Sequence, residues 1–364
     1  MKTEKHRFPY QWTLKDAVFT KDKGKVFSCF ACGGGSTMGY KLAGFDVIGC
    51  NEIDPKMMEA YTTNHNPKYS FLEGIQTFKL RDDLPEELYN LDILDGSPPC
   101  SSFSMAGNRG DDWGKEKKFR EGQAEQVLDT LFFDFIDLAK KLQPKVVVAE
   151  NVKGLLLGDA INYVKRIYKE FDEAGYYCQH WLLDASKMGV PQRRERVFFV
   201  CLRKDLAQPF LEQVDFFTQL PRLKLKFDEP QIKYKEFKTG LLGKELTNET
   251  KLVWEQRLPE DQDFGAIHQR ISGNPKRFQV KFIDDNMVAK TLAAGSDSVP
   301  IRRDFPNRIE ENEIKMIGSY PLDYNFIKNE VGYLIGMSVP PIMTAQIATE
   351  IYNQWILKIN NLNN

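Results

Sequence analysis

The sequence predicts a doubly wound α/β fold built on a mostly parallel sheet, joined to a smaller region that is mostly irregular or β. Three observations carry this expectation. Up to Leu202, short β-rich runs alternate with longer amphipathic segments, the pattern of strands joined by crossover helices. Two runs, VVVA at 146–149 and VFFVCL at 197–202, are apolar throughout, as strands covered on both faces are. After Leu202 the alternation stops, and Lys, Glu, Gln and Pro become frequent.

Strands are expected at Val26–Ala31, Phe45–Asn51, Tyr69–Leu72, Leu91–Gly96, Lys145–Glu150, Tyr176–Leu183 and Val197–Leu202. Helical patterns fill the gaps at Ser36–Ala43, Pro55–Asn64, Gln123–Leu142 and Asp159–Ala174, and a last helix is expected from Pro340 to Leu357. The organisation that follows is a first catalytic part, 1–204, an inserted region, 205–285, and a return segment, 286–364. Neither internal repeats nor low-complexity segments are visible.

With 364 residues, 42% hydrophobic, the chain can bury a sizeable core without disulfide staples. The six cysteines are Cys29, Cys32, Cys50, Cys100, Cys178 and Cys201, most in or beside strand-like runs, which suits buried thiols in a reducing compartment. Cys29 and Cys32 form a CxxC, but no second pair follows, so no metal is expected. The N-terminal MKTEKHRFPYQW carries charges and no apolar core, so no secretory signal is expected, and no membrane span is expected. The net charge of −1 argues against a nucleic-acid partner, because such domains are often basic. A partner feels only the local field, however. Basic clusters occur at Arg193, Arg194 and Arg196, from Arg222 to Lys238, at Lys276, Arg277 and Lys281, and at Arg302 and Arg303.

Five segments carry chemistry. The first strand runs into Phe30-Ala31-Cys32-Gly33-Gly34-Gly35. Glycines there let the backbone approach a ligand closely, and the next helix offers its N-terminus to an anion. The second strand ends in Asn51-Glu52-Ile53-Asp54, where an acidic side chain is placed for ribose hydroxyls. Together they suggest a nucleoside-containing cofactor without separating NAD from S-adenosylmethionine. The fourth strand leads into Gly96-Ser97-Pro98-Pro99-Cys100, a cysteine held by two prolines where ligands bind in open α/β sheets. The fifth ends in Glu150-Asn151-Val152. A carboxylate emerging from a buried strand is costly unless paired or used, and adjacent strand ends would bring it to the same pocket as Cys100. Gln192-Arg193-Arg194-Glu195-Arg196 precedes the seventh strand, where arginines could hold an anion or a carbonyl.

In this order, Phe-x-x-Gly-Gly-Gly, Asn-Glu-Ile-Asp, Pro-Pro-Cys, Glu-Asn-Val, Gln-x-Arg-x-Arg and the tail motif Gly336-Met337-Ser338-Val339 resemble the cytosine-5 DNA methyltransferases, over residues 26–203 and 288–357. The resemblance implies S-adenosyl-L-methionine as cofactor and the fold shared by enzymes that use it. Cys100 would add to carbon 6 of a flipped cytosine. Glu150 would hold the ring nitrogen and exocyclic amine, and Arg194 and Arg196 would orient the base carbonyl and a loop. Phe30 would stack on the adenine, and Gly33, Gly34 and Gly35 would approach the methionine part. Glu52 would bind the ribose, with Ile53, Ile75, Pro98, Ser338 and Val339 completing the cofactor pocket. Ser102, Ser104, Arg109 and Gln192 would touch DNA, 101–130 would be a closing loop, and 205–285 would be the target recognition domain. Implied as well are a double-stranded DNA partner, a monomeric state, a cytoplasmic location in a prokaryotic or phage-infected cell, and membership of a restriction-modification system or a solitary role. The sequence departs from the family's pattern at Cys32 for Gly, Ser101 for Gln, Met337 for Asn, and Glu73-Gly74-Ile75 for Gly-Asp-Ile. One rival stays in the family, a tRNA methyltransferase, and one is of a different class, a catalytically silent DNA-binding relative. A third, an NAD oxidoreductase, explains only the glycine turn and Glu52.

Overall fold

The computed structural model describes residues 5–99, 116–117, 126–127, 130–215 and 218–362. The chain divides into two compact units. One comprises Val18–Asp184, Glu195–Lys226 and Thr344–Asn364; the other comprises Met1–Ala17, Ala185–Arg194 and Phe227–Met343. These limits differ from the 204/205 and 285/286 divisions read from composition. The second unit takes in much of the return segment, and the first keeps 205–226.

The first unit is built on a sheet of seven strands: β1 (Lys25–Cys29), β2 (Asp46–Glu52), β3 (Tyr69–Leu72), β4 (Ile93–Gly96), β5 (Val146–Val152), β6 (Tyr176–Asp184) and β7 (Glu195–Arg203). Their order is β3-β2-β1-β4-β5-β7-β6. The first five lie parallel, and β7 runs antiparallel to both β5 and β6. In register, Cys29 lies opposite Gly96, and Gly96 opposite Ala149. The glycine turn, the segment leading to Cys100, and Glu150 therefore leave the sheet along one edge, at strand C-termini where α/β sheets bind ligands.

Helices α1 (Gly35–Leu42), α2 (Pro55–His65), α3 (Ile75–Phe78), α4 (Leu131–Leu142) and α5 (Ile161–Glu173) cover the sheet. In α4 the buried residues are Leu131, Phe132, Phe135, Ile136, Leu138, Ala139 and Leu142, one apolar stripe at helical period. Lys140 and Lys141 fill its last turn, and Gln143 ends it in the left-handed region before Pro144. The Phe132 ring meets Phe199 of β7 edge to face at 5.5 Å. Burying such a ring contributes roughly 2–3 kcal/mol. Gly96 lets α4 come close, because a Cβ there would lie 2.6 Å from the Phe135 ring. The described helix begins at Leu131; Gln126–Val127, inside the expected helix, is instead a short strand paired antiparallel with Glu116–Lys117, and the expected start at Gln123 lies outside the described residues. The C-terminal stretch Val331–Leu362 is long and apolar enough to cross a membrane by composition, but its most apolar window is 83% buried within the protein, so it reads as core.

The second unit is mostly irregular, with short paired strands and capped helices. Phe282–Ile283 pairs with Ile301–Arg302, and Ala289–Lys290 pairs with Gln192–Arg193, both parallel. Helix Asn248–Glu255 starts at Thr247, whose hydroxyl accepts from Thr250 N; helix Phe264–Ser272 starts at Asp263 and ends at Gly273, the usual start and stop chemistry. Neither was expected from composition. Their apolar faces meet in a small core of Leu246, Trp254, Phe264, Ile267, Val280, Phe282 and Ile301.

Candidate active site

The turn after β1 is strained where the sequence lacks glycine. Phe30 and Cys32 adopt φ of 52° and 48°, and Gly34 adopts 81°. Positive φ disfavours any residue with a Cβ, which explains why a glycine is usual at Cys32. A Cβ on Gly34 would lie 2.2 Å from His65 Nε2. His65, the last residue of α2, lies with Nε2 3.4 Å from Gly33 O and its ring against Tyr61. Burial, then the charge of Lys41, depresses its pKa to about 3, so a neutral imidazole underlies the turn.

Glu52 ends β2 and is buried. Its carboxylate accepts from Cys32 N at 2.7 Å, Ile53 N at 2.8 Å and Asp54 N at 2.9 Å. Burial raises its pKa, opposed by these backbone donors. It thus joins the glycine turn to the entrance of α2. Asn51 Nδ2 donates to Phe71 O and Glu73 O, joining β2 to the segment after β3. Ile53 is partly exposed. Ile75, expected at the cofactor, is 2% exposed and packed in the main core; the short helix turns its side chain inward.

Glu150 forms an ion pair with Arg196 of β7, Nε to Oε1 at 2.9 Å, with side chains 12% and 16% exposed. The register explains the pairing: Glu150 lies opposite Phe198, and Arg196 opposite Val152, so the two long side chains meet diagonally. Burial lowers the arginine's pKa, opposed by the charge of Glu150. The next residue, Asn151, donates from Nδ2 to Pro98 O at 3.2 Å while its Oδ1 accepts from Val152 N at 2.8 Å. Pro98, two residues before Cys100, is therefore hydrogen-bonded to the strand end that carries Glu150. Cys100 itself, with Ser102, Ser104 and Arg109, lies outside the described residues.

Two expected contacts have other occupations. Arg194 is 3% exposed, and its guanidinium donates to Leu292 O, Gly336 O and Ser338 O at 2.9–3.0 Å. Gln192 is 1% exposed, and its amide donates to Ile317 O and accepts from Leu292 N. Both are committed to backbone groups of the second unit. Arg194 thus braces the segments that end at Leu292, Gly336 and Ser338. Ser338 and Val339 also belong to the second unit. The Ser338 hydroxyl donates to Leu334 O and accepts from Tyr320.

Sequence reasoning missed Asp95. It lies on β4 opposite Ser28, 4% exposed, and its carboxylate accepts from the hydroxyls of Ser28 (2.8 Å), Ser36 (2.7 Å) and Tyr40 (3.1 Å). Burial raises its pKa to about 6; the hydroxyls oppose the rise and the charge of Glu150 adds to it. The signal was available in a carboxylate within the apolar run Leu91–Gly96. Among the described residues no group of three or more His, Cys, Asp or Glu is arranged to hold a metal.

A family model described as C-5 cytosine-specific DNA methylase matches residues 24–353. The chain belongs to that family. Among curated relatives, the type II methyltransferase M.FnuDI of Fusobacterium nucleatum is 42% identical over 185 residues, 50% of this chain and 48% of the relative. M.NmeDI of Neisseria meningitidis serogroup C is 29% identical over 95% of this chain and 89% of the relative. The chain spans about half the length of the first curated relatives it matches. Among solved structures, a DNA modification methyltransferase encoded within an E. coli prophage superposes with TM-score 0.63 at 21% identity, covering 91% of this chain and 99% of the other. A Spodoptera frugiperda DNMT2 variant gives 0.57 at 18%, covering 92% and 98%. These likenesses show the methyltransferase fold, consistent with the order of the seven strands.

Proposed function

We propose that the chain methylates carbon 5 of a cytosine turned out of duplex DNA, using S-adenosylmethionine. One observation carries this reading beyond family membership. The hydrogen bond from Asn151 to Pro98 O ties the approach to Cys100 to the end of β5, beside the Glu150–Arg196 pair.

The residues of the first unit fit the cofactor. Gly34 caps α1 with no side-chain acceptor, so first-turn N–H groups are available to a carboxylate. Glu52 has spent three of its roughly four lone-pair directions on backbone donors, leaving capacity for a ribose hydroxyl. Phe30, partly buried, packs against the core beside this turn. When bound, S-adenosylmethionine supplies an electrophilic methyl on a sulfonium.

Carbon 5 of cytosine is a weak nucleophile. Addition of the Cys100 thiolate to carbon 6 moves the ring's electron pair onto carbon 5, which takes the methyl. Loss of the carbon 5 proton to a base then expels the thiolate. Glu150 is suited to accept from the exocyclic amine and share a proton with the ring nitrogen, which favours addition. Arg196 fixes that carboxylate and has further N–H donors for the base carbonyl. The target must leave the helix to reach this edge of the sheet. Target recognition is assigned to 205–285, most of which lies in the second unit. Similarity to bacterial and phage relatives supports a cytoplasmic role on a bacterial or phage genome.

The test is transfer of labelled methyl to duplex DNA and to tRNA. The expected product is 5-methylcytosine in duplex DNA, lost in Cys100→Ser while cofactor binding persists. Transfer only to tRNA would change the substrate, and DNA binding without product would indicate a silent relative.

A further inference from the structure

We propose that Arg193 and Lys290 form a clamp for a backbone phosphate of duplex DNA, on the second unit. The inference rests on the DNA reading above but concerns residues that the chemistry does not use.

In the parallel pair Gln192–Arg193 and Ala289–Lys290, Arg193 lies directly opposite Lys290. Like charges directly opposite in a sheet are destabilising, so this arrangement costs stability unless an anion offsets it. The protein offsets it only in part, through the charge of Asp263 on the lysine side. Among the described residues, the exposed Arg193 side chain has no hydrogen bond or ion pair. Lys290 Nζ donates to a neutral group, Gln262 Oε1, at 3.0 Å. Two further cations bear on the same place. Lys281 and Arg303 both act on Lys290 or are acted on by it, and Lys290 and Lys281 both titrate below the ordinary lysine value through burial and neighbouring positive charge. The charge of Asp263 acts against these effects on both lysines, but the nearby carboxylates have other partners as well. Asp263 caps the helix Phe264–Ser272 by accepting from Ala266 N, and Asp284 pairs with Arg303 at 2.9 Å.

The backbone beneath is firm. Thr291 Oγ1 donates to Arg193 O at 2.7 Å, and Lys281 Nζ donates to Thr291 O at 3.1 Å. Gln192 and Arg194, on either side of Arg193, are buried and hydrogen-bonded within the unit, as described above. Alternation along the strand then turns the intervening Arg193 outward. A planar guanidinium beside an ammonium, both on a fixed strand pair, matches a phosphodiester. Such contacts set register on the duplex without reading sequence.

The experiment is fluorescence anisotropy with a labelled duplex of about 30 base pairs across a salt series. It compares the full chain, Arg193→Gln/Lys290→Gln, and the control Lys165→Gln on the exposed face of α5. Losing one phosphate contact should reduce the slope of log K against log salt by about 0.9, equivalent to about eightfold weaker binding near 0.1 M salt. The loss should be equal for duplexes of unrelated sequence, and the control should bind like the parent. The unfolding temperature of the double variant should match or exceed that of the parent, because a repulsive pair is gone; if it falls, Arg193→Gln alone, at an exposed position, carries the test. Parent-like slope and affinity in the variant would overturn the clamp, as would a loss confined to one sequence. Failure of the parent chain itself to bind any duplex would instead overturn the DNA reading.

Discussion

Replacing Asp95 with Asn isolates one buried charge. The carboxyl pKa rises from an ordinary 3.8 to about 6, chiefly through burial and with a contribution from Glu150. That is roughly 2 pH units, or about 3 kcal/mol between the two protonation states. Because the folded value exceeds the unfolded one, the stabilising contribution is full below about pH 4 and is lost as pH rises through about 6. Asp95→Asn keeps a neutral, hydrogen-bonding group among Ser28, Ser36 and Tyr40, whose hydroxyls can accept as well as donate. The variant's stability relative to the parent should therefore increase with pH, by about 2 kcal/mol between pH 4 and pH 8. Urea unfolding followed by circular dichroism at several pH values measures this, with the urea slope unchanged. A stability difference that stays flat with pH would refute the reasoning, since Asp95 would then titrate normally in the folded chain.

Three other outcomes are expected. Glu150→Gln should lower the methylation rate by about 100-fold or more, measured under single-turnover conditions with duplex DNA; a change within about twofold would remove Glu150 from the chemistry. Arg196→Met leaves Glu150 nearly buried without its 2.9 Å partner and should cost about 3–5 kcal/mol of stability; adding Glu150→Gln should recover part of it in a double-mutant cycle. Gly34→Ala forces a Cβ to within 2.2 Å of His65 Nε2 at φ 81°, so calorimetry should show S-adenosylhomocysteine binding weakened at least tenfold, with partial rescue by His65→Ala.

The sheet was legible because its strands are apolar runs separated by turn chemistry, and parallel strands covered on both faces leave that mark. Glu150 stands out for the same reason, as a carboxylate in an apolar strand, and its ion pair with Arg196 follows from the register. Asp95 carries the same signal, but its three hydroxyl partners come from β1 and α1, and only the register brings them together. The partners of Gln192 and Arg194 were not legible because a side chain's destination depends on distant groups, here backbone carbonyls at Leu292, Ile317, Gly336 and Ser338. The helices at 248–255 and 264–272 are short, and their apolar residues are too few to show a period against a charged background. Their caps, Thr247 and Asp263, were the readable sign. The unit boundaries escaped because Ala185–Arg194 crosses into the second unit between two strands of the first, which composition does not mark.

The central claim is that Cys100 attacks a flipped cytosine beside Glu150. It is tested most directly with duplex DNA in which the target cytosine carries fluorine at carbon 5. After methyl transfer no proton remains there to remove, so elimination stops and the thiolate stays bound to carbon 6. With S-adenosylmethionine present, a covalent protein–DNA adduct is expected, and peptide mass mapping should place it on Cys100. An adduct on another residue, or full methylation by Cys100→Ser, would contradict the account.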